Sequence, residues 1–337
     1  MMNKKVVVTK NGGPEVLQIV RAPIPEPGAG EARVKVIATD VAFADTLARR
    51  GMYPNAPKIP FAPGYDIVGL VEKTGADVSL VKEGQRVVAL LKGFGGYAQY
   101  LCVSEKMLIP VPENVESLEA VAVPLNFLTA HSALHQVAQV KPGERVLVTS
   151  AAGGVGTALL QLGQIAGLEI YGTASTNKLE LVRRLGATAI DYRKENLTQR
   201  LRALTNGEGI DVALDAVGGE ALKQAYGLLR KGGRLVAYGF LGSTQGNMLG
   251  MLAGIAPLYF YQLLPDGKRA QFFGDLPTTV EKDNAWYRAT MTQLMAWLAE
   301  GKIKPIIGKQ LPLEQAAEAH RLLETGSVFG KIVLTCE

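Results

Sequence analysis

Residues 145–166, RVLVTSAAGGVGTALLQLGQIA, constrain the fold of this chain more than any other stretch. Val146, Leu147 and Val148 form a short apolar run ending at Thr149 and Ser150, the pattern of a strand buried on both faces. The chain then turns through AAGGVG. Apolar residues recur at 155, 158, 159, 162, 165 and 166, the spacing of a helix with one buried face. Strand, glycine turn and helix in that order are the setting in which a G-x-G-x-x-G pattern carries meaning. Ala151 stands where the first glycine belongs, so the match is imperfect. Glycines let the backbone approach a pyrophosphate, and the helix start offers N–H groups and the positive end of its dipole. By themselves the glycines fit a structural turn equally well; the flanking strand and helix favour a dinucleotide.

The rest of the chain supports an α/β fold in two parts. Beyond 145 the segments LEIYGTAS, NKLELVRRLGA, TAIDY, LTQRLRALT, IDVALDAV, EALKQAYGLL and GRLVAYGF alternate between strand and helix patterns, the signature of a doubly wound parallel sheet. Residues 269–273 are expected as a sixth strand at its edge. Up to about residue 124 the chain is instead β-rich, with short strands between Gly, Pro and Asn turns and a helix at 42–50, which fits a partly open barrel. The predicted domains are 1–124, 125–277 and a C-terminal segment, 278–337, that returns to the first domain. A helix at 126–138 makes the transition. The tail holds a helix, a strand at 304–309, a second helix and a final strand, KIVLTC; its return follows from the closeness of an inserted domain's ends.

Composition excludes several classes. The 36 Lys and Arg against 31 Asp and Glu give a net charge of +5, but in scattered pairs and never a run of five, so no nucleic-acid partner is indicated. The most apolar stretch, 248–264, contains Pro257 and Gln262 and falls short of the ~20 residues a membrane span requires. It reads as a buried wall. The N-terminus has no signal-peptide pattern, and two distant cysteines, Cys102 and Cys336, make no disulfide framework, so a cytoplasmic location is expected.

The choice of dinucleotide is legible at the end of the second parallel strand. An acidic residue about twenty positions past the glycine turn would hold ribose hydroxyls and favour NAD. Here the segment YGTASTNK carries hydroxyls and Lys178, with no carboxylate between Tyr171 and Leu179. That set suits a 2′-phosphate, with Tyr192 and Arg193 placed to close the pocket from the next strand. Lys178 otherwise caps or solubilises the following helix. NADPH is the expected cofactor.

The turn AAGGVG, the preceding PGERVLV, and GTASTNK, IDY, LDAVGG, GGRLVAYG and GKIVL resemble the zinc-independent quinone oxidoreductases of the medium-chain dehydrogenase/reductase superfamily, in the branch of zeta-crystallin-like reductases and the synaptic vesicle protein VAT-1. GGPEVL, FADTLARRGMYP, PGYDIVG and GGYAQY extend the resemblance through the first domain; only 242–288 is poorly covered. It implies a GroES-like barrel, a Rossmann-like domain, a cleft between them, NADPH, and a homodimer or homotetramer. It places the backbone N–H groups of Gly153, Gly154 and Val155 at the pyrophosphate. Ser175, Lys178 and Tyr192 surround the 2′-phosphate, and Asn126, Thr129 and Phe240 lie by the nicotinamide. Lys331 reaches the cofactor from the tail, and Tyr53 stands at the substrate mouth, where an ordinary loop aromatic is the alternative.

Departures from the family pattern are specific. Ala42 replaces an asparagine common near the nicotinamide, and Asp66 is a shorter acid than the usual glutamate. Asp45 and Asp66 are read as hydrogen-bonding to nearby turns. The related zinc enzymes have a cysteine near position 40 and a histidine at 65; this chain has Thr39, Asp40 and Tyr65, so no metal is expected. His131 and His135 are spaced as in H-E-x-x-H, but Ser132 stands in place of the glutamate and no third ligand follows, which favours a structural pair. The implied function is NADPH-dependent hydride transfer, without metal, to a small electrophilic acceptor, a quinone or an activated C=C bond. Tyr53 is the candidate catalytic residue. The alternative is an NADPH-binding scaffold or lipid-surface protein of the VAT-1 type.

Overall fold

The computed structural model describes residues 2–53, 56–241, 248–274 and 276–336. Two compact units form, one from Met1–Leu128 with Leu276–Glu337, the other from Thr129–Asp275.

In the first unit, β1 (Met2–Val8) and β2 (Leu17–Pro23) make an antiparallel ribbon. β3 (Glu31–Val41), α1 (Phe43–Arg49), β4 (Asp66–Thr74), β5 (Arg86–Leu90), β6 (Tyr100–Ser104), β7 (Ile109–Pro110) and α2 (Ser117–Val121) follow. α3 (Pro124–His131) leads out and continues as a π-helical stretch, Ser132–Val137.

The second unit runs β8 (Arg145–Val148), α4 (Gly154–Ile165), β9 (Glu169–Ala174), α5 (Leu179–Arg184), β10 (Thr188–Asp191), α6 (Leu197–Leu204), β11 (Ile210–Asp215), α7 (Gly219–Leu228), β12 (Leu229–Ala237), α8 (Met248–Gln262) and β13 (Arg269–Phe272). Its six strands are all parallel, in the order β10-β9-β8-β11-β12-β13. The order reverses between β8 and β11, and ligands of such sheets bind at the carboxyl ends there.

The tail supplies α9 (Leu276–Lys282), α10 (Asn284–Ala299), β14 (Ile307–Pro312), α11 (Ala316–Glu324) and β15 (Lys331–Thr335). β15 pairs antiparallel with β3, Val333 opposite Asp40, and β14 lies parallel to β15. The last strand of the chain therefore sits inside the first unit's main sheet, between β14 and β3.

Two expectations need correction. The strand placed at 304–309 begins at Ile307, because Pro305 has no N–H for a ladder. The stretch 248–264 is no buried wall. Leu258 joins the core of the second unit, but Tyr259, Phe260 and Leu263 are 58%, 60% and 82% exposed. A helix apolar on every side presents some of that surface to solvent when only one face packs. Residues 242–247, within the stretch the family resemblance covers poorly, lie outside the described residues.

A polar chain is buried beside the barrel core. Arg49 donates to Nδ1 of His320 at 3.3 Å and to Glu324 at 2.5 Å. Since arginine only donates, Nδ1 accepts and the imidazole hydrogen sits on Nε2, 3.1 Å from the Tyr97 hydroxyl. Burial, and then the nearby Asp45 charge, push the Tyr97 hydroxyl well up from its ordinary value. Burial, reinforced by the Arg49 cation, pushes His320 down to about 3. A histidine depressed in the fold contributes stability above its unfolded value near 6.5 and loses it as pH falls toward the folded value. His320→Gln is expected to destabilise the protein at pH 7 by about 1–3 kcal/mol and to flatten the decline between pH 6.5 and 5. Urea unfolding of both proteins at the two pH values checks this; parallel declines would exclude His320 as the cause.

Candidate functional site

In the second unit the glycine turn is built as an anion cradle. Gly153 precedes α4 in extended conformation, and no side chain caps the helix. Gly154 and Val155 are half-exposed, which leaves first-turn N–H groups facing outward. A Cβ at Gly156 would strike the Ser150 carbonyl oxygen, so only glycine brings helix and turn this close. One assignment changes: the Gly153 N–H donates to Ser150 O at 3.0 Å and is taken up in closing the turn. Gly153 contributes its lack of a side chain, and the donors begin at Gly154. The cradle fits a pyrophosphate.

A tie that no sequence motif announces stiffens this end of the sheet. Thr149 Oγ1, after β8, donates to Asp215 Oδ1 on β11 at 2.7 Å and accepts from Ala216 N at 3.0 Å. Asp215 Oδ2 accepts from Gly218 N at 2.7 Å. The two strands flanking the order reversal are thus bridged by side chains.

The predicted 2′-phosphate residues come together beyond β9. Ser175 is buried and donates to Asn177 Oδ1 at 2.8 Å. Lys178 is half-buried, and burial together with the nearby Arg193 cation depresses its ammonium. Arg193 lies over the ring of Tyr192, which is 56% exposed. Two cations held close enough to repel one another are stabilised by a polyanion. Sequence reading missed Asp191, a carboxylate at the end of β10. It accepts from Thr176 Oγ1 at 2.5 Å and from Arg193 N at 3.0 Å, and the Thr176 hydroxyl above all keeps it ionised. These bonds occupy both its oxygens. Phe240 is buried in this unit's core, 5.0 Å from the Phe272 ring. Thr129 on α3 is half-buried.

In the first unit the outcome for Lys331 differs from the family expectation. Its ammonium forms an ion pair with Asp40 on β3, both side chains being buried. Asp66, at the start of β4, lies near enough to Asp40 for each carboxyl to act on the other. Burial, and then the Asp40 charge, raise Asp66 well above the carboxylate range, while Lys331 opposes the rise that burial causes at Asp40. Lys331, Asp40 and Asp66 thus form one buried ionic cluster. Asp66 also accepts from Leu125 N at 3.1 Å and so caps the start of α3, the helix that carries buried Asn126. Asp45 accepts from Ala42 N and Gly64 N, each at 2.8 Å, fixing the entry to α1 to the loop before β4.

Tyr53 is half-buried, and its ring meets those of Phe94 at 5.7 Å and Tyr65 at 6.3 Å. Pro54 and Asn55, which follow it, lie outside the described residues. The His131 and His135 rings are 4.7 Å apart, and burial first, then His135, brings His131 down to about 4. Among the described residues no three His, Cys, Asp or Glu gather as a metal site.

With this geometry in place, similarity to known proteins becomes informative. A family model described as "Alcohol dehydrogenase GroES-like domain" matches residues 28–113, and one described as "Zinc-binding dehydrogenase" matches residues 185–334. The rat quinone oxidoreductase is 31% identical over 98% of this chain and 97% of its own length. The chain belongs to the quinone oxidoreductase family of the medium-chain dehydrogenase/reductase superfamily. The zebrafish synaptic vesicle membrane protein VAT-1 homolog is also 31% identical, over 99% of this chain and 70% of its own length. The crystal structure of an Escherichia coli quinone oxidoreductase complexed with NADPH superposes with a TM-score of 0.87 at 28% identity, covering 98% of this chain and 99% of that one. Family membership accounts for the GroES-like and Rossmann-like units. The "zinc-binding" description does not carry over to the barrel positions: Thr39, Asp40 and Tyr65 supply neither the sulfur nor the nitrogen of the related zinc sites.

The buried Lys331–Asp40 ion pair, with Asp66 raised beside it, separates two variants that look alike. Asp66→Asn keeps a donor toward Asp40 and an oxygen for the Leu125 N–H, and should change stability by less than about 1 kcal/mol. Asp40→Asn leaves the Lys331 ammonium buried without its counter-ion and should cost about 3–5 kcal/mol. Denaturant unfolding at pH 7 reads both; equal losses would mean that Asp66 is ionised.

Proposed function

We propose that this protein is an NADPH-dependent oxidoreductase that passes a hydride to a quinone or to an activated C=C bond without a metal. The observation that carries the reading is the pair of anion sites in the second unit: the uncapped start of α4 and the Lys178–Arg193 cluster beyond β9. They follow adjacent strands, β8 and β9, an arrangement that suits a dinucleotide bearing an extra phosphate. Similarity to quinone oxidoreductases over nearly the full chain supports the reaction class.

NADPH, when bound, supplies the hydride, and the residues of the chain supply the rest. The N–H groups of Gly154 and Val155 hold the pyrophosphate. Ser175, Lys178, Tyr192 and Arg193 hold the 2′-phosphate by charge-assisted hydrogen bonds. Asn126, Thr129 and Phe240 are assigned to the nicotinamide end. A quinone or enone is already polarised, so a single donor suffices for the charge that develops on its oxygen, and Tyr53 is assigned that donation. Lys331 is not assigned to the cofactor, because Asp40 holds its charge.

The VAT-1 relative favours a second reading, cofactor binding without turnover. Self-association is proposed through β13, which has no outer neighbour in the sheet among the described residues and exposes Phe272. No helix among the described residues is long and apolar enough to cross a membrane. The free thiols of Cys102 and Cys336 suit the proposed cytoplasmic location.

The decisive experiment follows NADPH consumption with 1,4-naphthoquinone and with an α,β-unsaturated ketone. Turnover of either supports the enzyme. Tight NADPH binding with neither acceptor reduced selects the scaffold. Lys178→Glu should weaken NADPH binding about ten- to a hundredfold, the equivalent of a lost charge-assisted bond, and leave NADH binding within about threefold. Equal affinity of the unmodified protein for both cofactors would overturn the 2′-phosphate assignment. Tyr53→Phe should lower ketone turnover by up to about 10²-fold while NADPH affinity stays constant; unchanged turnover would remove the hydroxyl from the mechanism.

A further inference from the structure

A cationic recess lies where α8 ends and β13 begins, with a volume of about 240 Å³. Gln262, Lys268, Arg269, Ala270 and Gln271 line it, so two cations and two carboxamides meet there and no acid does. β13 runs parallel to β12, and Arg269 opens it opposite Arg234. The recess is therefore at the amino-end edge of the sheet, whereas the glycine turn and the Lys178–Arg193 cluster follow carboxyl ends of strands. None of its residues is assigned to the cofactor.

The loop that carries the cations is held in place. Gly232 N–H donates to Gly267 O at 3.0 Å and pins it to β12. Lys268 Nζ donates to Tyr226 O at 3.2 Å and lies 4.9 Å from the centre of the Tyr226 ring, which stacks on Tyr261 at 3.8 Å. Asp266 is the one acid between positions 262 and 271, and it is already engaged. Both its oxygens accept from the Tyr226 hydroxyl at 3.0 Å, and Oδ1 also accepts from Lys268 N at 3.0 Å. The carbonyl end of α8 opposes an anion, but Leu263 N–H and Leu264 N–H take up Phe260 O and Tyr261 O. Arg269 is exposed.

We propose that this recess is a site for a small phosphate-bearing anion, separate from the dinucleotide. The Arg269 guanidinium grips two phosphate oxygens at once, the anchored Lys268 ammonium adds a second charge, and the carboxamides of Gln262 and Gln271 donate to the remaining oxygens. A volume of about 240 Å³ falls below the ~300–1,000 Å³ of sites for larger ligands, which suits one or two phosphate groups and excludes a second dinucleotide. Because Lys268 is anchored before the anion arrives, little of its freedom is lost on binding. Occupancy is independent of NADPH, since the two sites lie at opposite edges of the sheet. It is also compatible with pairing of β13 to a second copy, which uses backbone groups in place of these side chains.

Titration calorimetry of inorganic pyrophosphate into the NADPH-saturated protein tests this, the bound cofactor closing the other anion sites to the probe. One saturable site per chain is expected. Arg269→Ala should weaken binding about five- to tenfold, less than a buried charge-assisted bond is worth because the guanidinium is exposed. Lys268→Ala should do the same, and the double variant should leave no saturable binding. Lys82→Ala removes an exposed cation of the first unit and should leave pyrophosphate binding unchanged. NADPH affinity should stay constant in every variant. Absence of a saturable site, equal binding by Arg269→Ala and the unmodified protein, or an equal loss in Lys82→Ala would each overturn the proposal. Should Lys268→Ala fail to fold for want of its Tyr226 contacts, the variant at exposed Arg269 decides the matter. Should the protein not bind NADPH, the same titration of the unliganded chain isolates the recess, because Arg269→Ala leaves the glycine turn and Lys178 intact.

Discussion

The buried contact between Lys331 and Asp40 is the constraint on which the barrel unit depends. Neither charge enters an apolar interior without a partner, since the desolvation penalty is several kcal/mol per ion. The two residues are almost the whole chain apart, yet each is stable in the core only if the other arrives. Pairing them fixes the register of β15 on β3, because a slip of one residue would turn Lys331 to the opposite face of the strand. Asp66 extends the constraint. By standing beside Asp40 and accepting from Leu125 N–H, it ties the same point to the first turn of α3. The place where the chain leaves the barrel unit and the last strand of the chain are thus held by one buried ionic cluster.

The second unit reaches its anion sites by different physics. Its strands are apolar on both faces and parallel, so their carboxyl ends and the following helix starts fall on one edge of the sheet. The turn proposed to cradle a pyrophosphate is made of backbone, so AAGGVG can form it without the first glycine of the usual pattern. The close approach that matters is at Gly156, where a Cβ would meet the Ser150 carbonyl. Ala151 has its own N–H paired to Thr173 O and is fully buried, so a methyl group is accommodated there.

What was legible in the sequence follows from the range of the interactions concerned. Strand–turn–helix units are local, and the alternation beyond 145 read directly as the parallel sheet, including its edge strand β13. The hydroxyls, Lys178 and Arg193 sit next to strand ends, so their convergence followed from topology alone. Interactions spanning hundreds of residues left weaker traces. An aspartate in the apolar run VKVIATDVAF and a lysine opening the terminal strand were each visible, but nothing local pairs residue 40 with residue 331. The family resemblance sent Lys331 to the cofactor, whereas the structure pairs its ammonium with Asp40. Asp191 escaped for a related reason. The search for an acid was confined to the end of the second strand, and this one stands at the end of the third, anchored by Thr176. The exposure of α8 was hidden because hydrophobicity on every side of a helix does not say how many sides are covered.

Tyr65 and Asp66 show how the barrel has rebuilt a position that related enzymes give to a metal ligand. Adjacent residues at the start of a strand point to opposite faces. The Tyr65 ring joins Phe94 and Tyr53 on one side, and the Asp66 carboxyl joins Asp40 and Lys331 on the other. One dipeptide therefore links the aromatic cluster around Phe94 with the ionic cluster that anchors α3. A histidine at 65 would lose the ring contacts to Phe94 and Tyr53, and without a cysteine near position 40 it would gain no metal partner in return.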